Sequence, residues 1–82
     1  MLRIHYFARL RDQLGCATDE LVWQKQFHTI GDVKQALCER GPLWQQALNG
    51  NILVAHNHQI SPETTTLQDG DEIAFFPPVT GG

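Results

Sequence analysis

Thr29-Ile30-Gly31-Asp32-Val33-Lys34-Gln35-Ala36-Leu37-Cys38 is the stretch on which the fold turns. Thr29 reads as a helix N-cap, and Asp32, three residues on, favours the positive end of the helix dipole. Ile30, Val33 and Leu37 recur at i, i+3 and i+7, which gives an amphipathic helix one core-facing stripe. Lys34, Gln35 and Glu39 take the wet side. Gly41-Pro42 stops this helix. Pro42 can equally open a short second helix over residues 43–48, where Trp44, Ala47 and Leu48 would pack. Asn49-Gly50 closes it.

Outward from the helix, both flanks read as strands. Upstream, residues 2–8 alternate: Leu2, Ile4, Tyr6 and Ala8 fall on one face, and Arg3, His5 and Phe7 on the other. Arg9–Leu14 makes a short helical turn stopped by Gly15. A second strand over 18–24, with Leu21 and Trp23 on one face, follows so closely that an antiparallel pair is expected. Downstream, 52–56 is a short β-rich run. Asn57-His58 supplies a turn, Gln59-Ile60 a brief strand, and Ser61-Pro62 a break. Residues 64–67 lead into Gln68-Asp69-Gly70-Asp71, a tight turn with Gly70 able to take positive φ. Glu72–Phe76 is the last strand, with Ile73 and Phe75 facing one way and Glu72, Ala74 and Phe76 the other.

A hairpin, a main helix, a short second helix and three more strands give an α+β chain of the ubiquitin-like β-grasp type. Its mixed sheet carries the main helix on one face and leaves the other face open. Residues 1–76 are read as this domain and 77–82 as an extended tail ending in Gly-Gly. Phe7 and Phe76 both fall on the open face. If the first and last strands are neighbours, the two rings make one exposed apolar patch of the kind that marks a protein contact. A register one residue off would bury both instead.

The bulk numbers narrow the class. Eighty-two residues make one domain with a small core. Six basic against nine acidic side chains give a net charge of −3. That argues against nucleic acid or an anionic membrane surface as the main partner. No apolar run is long enough to span a membrane, and residues 1–8 alternate where a signal peptide would be continuously apolar. A cytoplasmic chain is expected. Cys16 and Cys38 are then free thiols. Cys38, beside Leu37 in the helix, reads as a small buried hydrophobe, with a nucleophile as the alternative. His56 and His58 would share a face in a continuous strand, as a pair of metal ligands does, but no third ligand accompanies them, and surface histidines are the plainer reading.

The tail is where chemistry is expected. Two glycines let the backbone enter a channel too narrow for side chains, and a terminal carboxylate there would be a reactive group on a thin stem. A frayed terminus is the plain alternative. Pro77 and Pro78 fix φ and keep the tail extended. Pro77 through Gly82 reaches roughly 20 Å at ~3.3 Å per residue.

Asp69-Gly70-Asp71-Glu72-Ile73-Ala74-Phe75-Phe76-Pro77-Pro78-Val79-Thr80-Gly81-Gly82 resembles the C-terminal stretch of molybdopterin synthase small subunits, the sulfur-carrier subunits. Phe7-Ala8-Arg9-Leu10-Arg11 with Leu14-Gly15, and the Thr29–Val33–Leu37 helix, are similar too, so the resemblance covers essentially the whole chain. Gly-Gly is common to ubiquitin-like carriers; Phe-Phe-Pro-Pro-Val-Thr-Gly-Gly points to this branch. His5 and the histidines of His56-Asn57-His58 depart from the usual pattern.

The resemblance implies that Gly82 is adenylated at its carboxylate by a ubiquitin-activating-like adenylyltransferase using ATP, and that a sulfur donor protein converts it to a thiocarboxylate. Pro77, Pro78, Val79, Thr80 and Gly81 would then thread into the large catalytic subunit of a heterotetramer. There the sulfur would pass to cyclic pyranopterin monophosphate to build the molybdopterin dithiolene. It implies no catalytic side chain and no permanently bound cofactor on this chain. Phe7 and Phe76 would contact the partner, and Asp69, Asp71 and Glu72 would steer a basic one; a plain solvated turn is the alternative for the three acids. Alternatives for the whole chain are a sulfur carrier for thiamin or tRNA thiolation, a ubiquitin-like protein modifier, and a non-covalent β-grasp interaction module.

Overall fold

The computed structural model describes residues 1–78. The elements run β1 (Leu2–Tyr6), α1 (Arg9–Leu14), β2 (Thr18–Leu21), α2 (Ile30–Cys38), α3 (Pro42–Leu48), β3 (Leu53–His56), β4 (Gln59–Ile60) and β5 (Glu72–Phe76). Five strands form one sheet in the order β2-β1-β5-β3-β4. β1 and β5 are parallel, and the remaining pairs are antiparallel. The first and last strands are therefore neighbours at the centre of a mixed sheet, the β-grasp arrangement.

Alternation sets the two faces of that sheet. Leu2, Ile4 and Tyr6 of β1, Val54 of β3, and Ile73 and Phe75 of β5 are buried beneath the helices. Ile30, Val33 and Leu37 of α2 meet them, with Leu10 of α1 and Ala47 and Leu48 of α3 completing the core. Each such side chain, taken fully out of water, contributes about 1.5–3 kcal/mol before entropy is counted. Phe27 and Leu67, from connecting segments, are also buried.

Local chemistry fixes the ends. The Asp32 amide donates to the Thr29 hydroxyl, and the Thr29 amide donates back to the Asp32 carboxylate at 3.0 Å, a capping box. The Ile30 and Gly31 amides donate to the carbonyls of Thr65 and Glu63, so the 63–66 segment satisfies the helix start from outside. Pro42 occupies the first turn of α3, where its missing N–H costs nothing. Gly15 ends α1 in the left-handed region at φ 75°.

Two strands are shorter than alternation indicated. β1 ends at Tyr6, because Ala8 turns the chain at φ 55° and ψ −132° and is exposed rather than core-facing. β2 ends at Leu21, and Trp23 packs partly buried against the core from outside the sheet. Among the described residues no helix is long and apolar enough to cross a membrane.

Candidate functional site

The open face of the sheet holds the site. Phe7 lies just past β1, and its amide donates to the Phe75 carbonyl at 3.1 Å. That bond fixes Phe7 beside the end of β5 with its ring outward and 49 % exposed. Phe76, one residue after the buried Phe75, takes the outward phase and is half-buried. Both rings border a shallow concavity of about 310 Å³ whose floor is Ala55, Ile73 and Ala74. The outward phases of Phe7 and Phe76 are therefore as alternation indicated.

Beyond the concavity, the same face carries apolar residues that sequence reasoning missed. Leu53 pairs with Phe76, and Ile60 pairs with Ala55, which places both on the open side. Ile60 is 65 % exposed. A two-residue strand has no readable period, so only the sheet register assigns Ile60 a face.

The other end of the concavity is polar. Glu72 projects from β5 between His5 and His58. A carboxylate only accepts, so His5 donates through Nε2 to Glu72 Oε2 at 3.2 Å. His58 Nε2 lies 2.8 Å from Oε1, and Arg3 Nη1 lies 3.9 Å from Oε2. The His5 bond, the leading cause, and the neighbouring charges hold the Glu72 carboxyl below its usual range, with desolvation opposing them. The His5 ring also stacks on Phe7, with centroids 6.2 Å apart and planes 12° from parallel. Polar and apolar halves of the face are thus in contact.

The acidic turn before β5 faces inward on its own structure. Asp71 accepts from His56 Nε2 at 2.7 Å, from the Gln68 amide at 2.9 Å and from Asn57 Nδ2 at 3.3 Å. Burial pushes the Asp71 carboxyl up, but these three donors together outweigh it and hold it below the usual range. Asn57 closes the lock by exchanging bonds with the Glu72 backbone, at 2.8 and 2.9 Å. Asp69 pairs with the N-terminal ammonium.

His56 and His58 do not share a face, contrary to a continuous-strand reading. Asn57 and His58 both take positive φ, 50° and 73°, and form the β3–β4 turn. The turn sends His56 to Asp71 and His58 to Glu72. Among the described residues no cluster of three or more His, Cys, Asp or Glu is arranged to hold a metal. Both cysteines are free. Burial pushes the Cys38 thiol up, against nearby Lys34, a direction that disfavours a thiolate there.

Pro77 and Pro78 follow β5 in no regular element and are half-buried. They carry the chain off the sheet directly beside Phe76. The expected tail residues Val79, Thr80, Gly81 and Gly82 lie outside the described residues.

A mixed β-grasp sheet with an apolar open face, from whose edge a Pro-Pro-led tail departs, defines a ubiquitin-like carrier. The chain belongs to the ThiS family, which matches residues 4–82. The molybdopterin synthase sulfur carrier subunit of Haemophilus influenzae is 41% identical, over 100% of both chains. The crystal structure of SAMP1 from Haloferax volcanii superposes with a TM-score of 0.80 at 28% identity, covering 99% of this chain and 98% of that one. A Helicobacter pylori complex of subunits 1 and 2 of molybdopterin-converting factor contains a chain with the same fold. Its TM-score is 0.69 at 20% identity, covering 99% of this chain and 97% of that one.

Proposed function

We propose that this chain is the sulfur-carrier subunit of a molybdopterin synthase and that the Gly82 carboxylate is its working group. The observation that carries this reading is the family match through residue 82, joined to a full-length relative of that name. The described geometry supports it. The tail leaves the sheet at the rim of the Phe7–Phe76 concavity, so a protein that swallows the tail must press against that face.

The chemistry follows from the carboxylate's inertness, since resonance and a poor leaving group protect it from attack. One carboxylate oxygen attacks the α-phosphorus of ATP on an activating enzyme, and pyrophosphate leaves. The terminal sulfur of a donor protein's persulfide then attacks the acyl carbon and AMP leaves; a thiol reduces the resulting acyl disulfide, freeing the donor and leaving a thiocarboxylate. Delivered by the tail into a large catalytic subunit, that sulfur attacks a carbon of a cyclic pyranopterin phosphate at high effective concentration, a carbon–oxygen bond there breaks, and water then cleaves the acyl–sulfur bond to return the Gly82 carboxylate. Two deliveries make a dithiolene, which fits a heterotetramer of two small and two large subunits. No side chain of this chain and no resident cofactor takes part in these steps; ATP belongs to the activating enzyme. Phe7 and Phe76, with Glu72 beside them, form the contact surface. Asp71 serves by locking the turn that sets Glu72.

Incubation with the activating enzyme, ATP and a sulfur source, followed by intact mass spectrometry, tests the reading. The expected product carries one sulfur in place of one oxygen at Gly82. Deleting Gly82, or appending one residue after it, should abolish loading and transfer while the unfolding temperature stays unchanged. Normal product formation by either variant would contradict the carrier role. The likeness to SAMP1, a small archaeal modifier protein, favours a second reading as a modifier joined to lysines. Covalent conjugates that survive reduction in cells, and are lost with Gly82, would support that instead.

A further inference from the structure

The polar end of the docking face holds more titratable groups than a contact surface requires. His5 and His58 both reach the single carboxylate of Glu72, one at each oxygen. Arg3 approaches the same carboxylate, and Glu20 of β2 stands opposite Arg3 in the sheet register. No other described acid serves these imidazoles: Asp71 is taken by His56, Gln68 and Asn57, and Asp69 by the N-terminal ammonium. His5, His58, Glu72, Phe7 and Phe76 line one concavity, so a protein covering the rings also covers the imidazoles.

We propose that docking on the Phe7–Phe76 face is proton-linked through His5 and His58, so that the complex weakens as the pH falls below neutral. The inference rests on the docking reading above. With neutral imidazoles, Glu72 offsets Arg3, and covering the face traps no surplus charge. With both imidazoles protonated, Glu72 is the one described carboxylate facing three cations, His5, His58 and Arg3. Covering the face then traps an unpaired cation away from water, which favours the form that has lost a proton. His5 transmits this to the apolar half of the face, because its ring is stacked on Phe7.

The test is the affinity for the large subunit, measured by calorimetry near pH 7.5 and near pH 5.5. Histidine ordinarily titrates near pH 6.5, so one imidazole obliged to shed its proton weakens binding about tenfold at the lower pH. The readout is the ratio of the two dissociation constants, compared between the natural chain and the double variant His5→Gln, His58→Gln. A ratio of about ten that falls toward one in the double variant is expected. Calorimetry near pH 6 in two buffers of different ionisation enthalpy should show about one more proton released by the natural chain than by the variant. Equal ratios for the two proteins, or tighter binding in acid, would overturn the inference. Phe76→Ala, measured at the higher pH, separates the two claims: unchanged affinity would mean the face is not the docking surface at all. Circular dichroism at both pH values confirms that each variant is folded.

Discussion

Phe76 sits where three demands meet: it ends β5, it faces the open side, and it precedes the prolines. Its neighbour Phe75 is fully buried, so a one-residue change in phase would exchange an anchor for a core residue. Both phases were legible, because five alternating residues fix the face of a strand. The partners of Glu72 were not. His5 is 67 positions away and meets Glu72 only because β1 and β5 pair in parallel at one register. Such contacts are consequences of topology, and no local pattern announces them. Phe76→Ala should weaken the complex with the large subunit by about 2 kcal/mol or more if the ring is a desolvated anchor. That is roughly thirtyfold in dissociation constant by titration calorimetry. The free domain should keep its unfolding temperature, since Phe76 lies outside the buried cluster.

At the scale of elements, the turns decide what the strands can present. The helix caps were readable, because Thr29 and Asp32 are three residues apart and need nothing else. The β3–β4 turn was half-readable. Asn57 and His58 signalled a turn, but two successive positive φ values in non-glycine residues break the alternation that had paired His56 with His58. Ala8 ended β1 early for the same reason. Asp71 ties this turn to the start of β5 and is mostly covered. Asp71→Asn keeps the shape but loses the charge, and should cost about 1–2 kcal/mol of stability at neutral pH. The sign with pH follows from the lowered folded-state value. The carboxylate's contribution is complete above its ordinary unfolded range and is lost as the pH falls through the lower folded value. Urea midpoints of the natural chain and the variant should therefore differ at pH 7 and converge in acid, below the ordinary carboxylate range. A difference that persists unchanged in acid would assign the effect to shape and not to charge.

For the whole molecule, the division of labour is between a rigid sheet and the chain that leaves it. The sheet's central strands, β1 and β5, bury Leu2, Ile4, Tyr6, Ile73 and Phe75 completely or nearly so. Their outward residues can therefore be pressed by a partner without yielding. The layout was legible because a capped helix between hairpin and strands admits few topologies, whereas the breadth of the open face emerged only when the register placed Leu53 and Ile60 beside Phe76 and Ala55. What the sheet gives the tail is direction. Pro77 and Pro78 hold φ fixed in the first two residues beyond β5, so the chain departs with less freedom to lose on being threaded. Replacing both by glycine restores that freedom at a cost of about 0.4–1 kcal/mol per residue. The double variant should deliver sulfur about tenfold less effectively at limiting large subunit. Its unfolding temperature should match the natural chain, because neither proline belongs to the sheet or its core. Single-turnover transfer from the preloaded thiocarboxylate, measured over a range of large-subunit concentrations, checks this. Loss confined to low concentrations fits a tail that has become harder to order. An unchanged transfer rate at all concentrations would show that the prolines do not set the path of the tail.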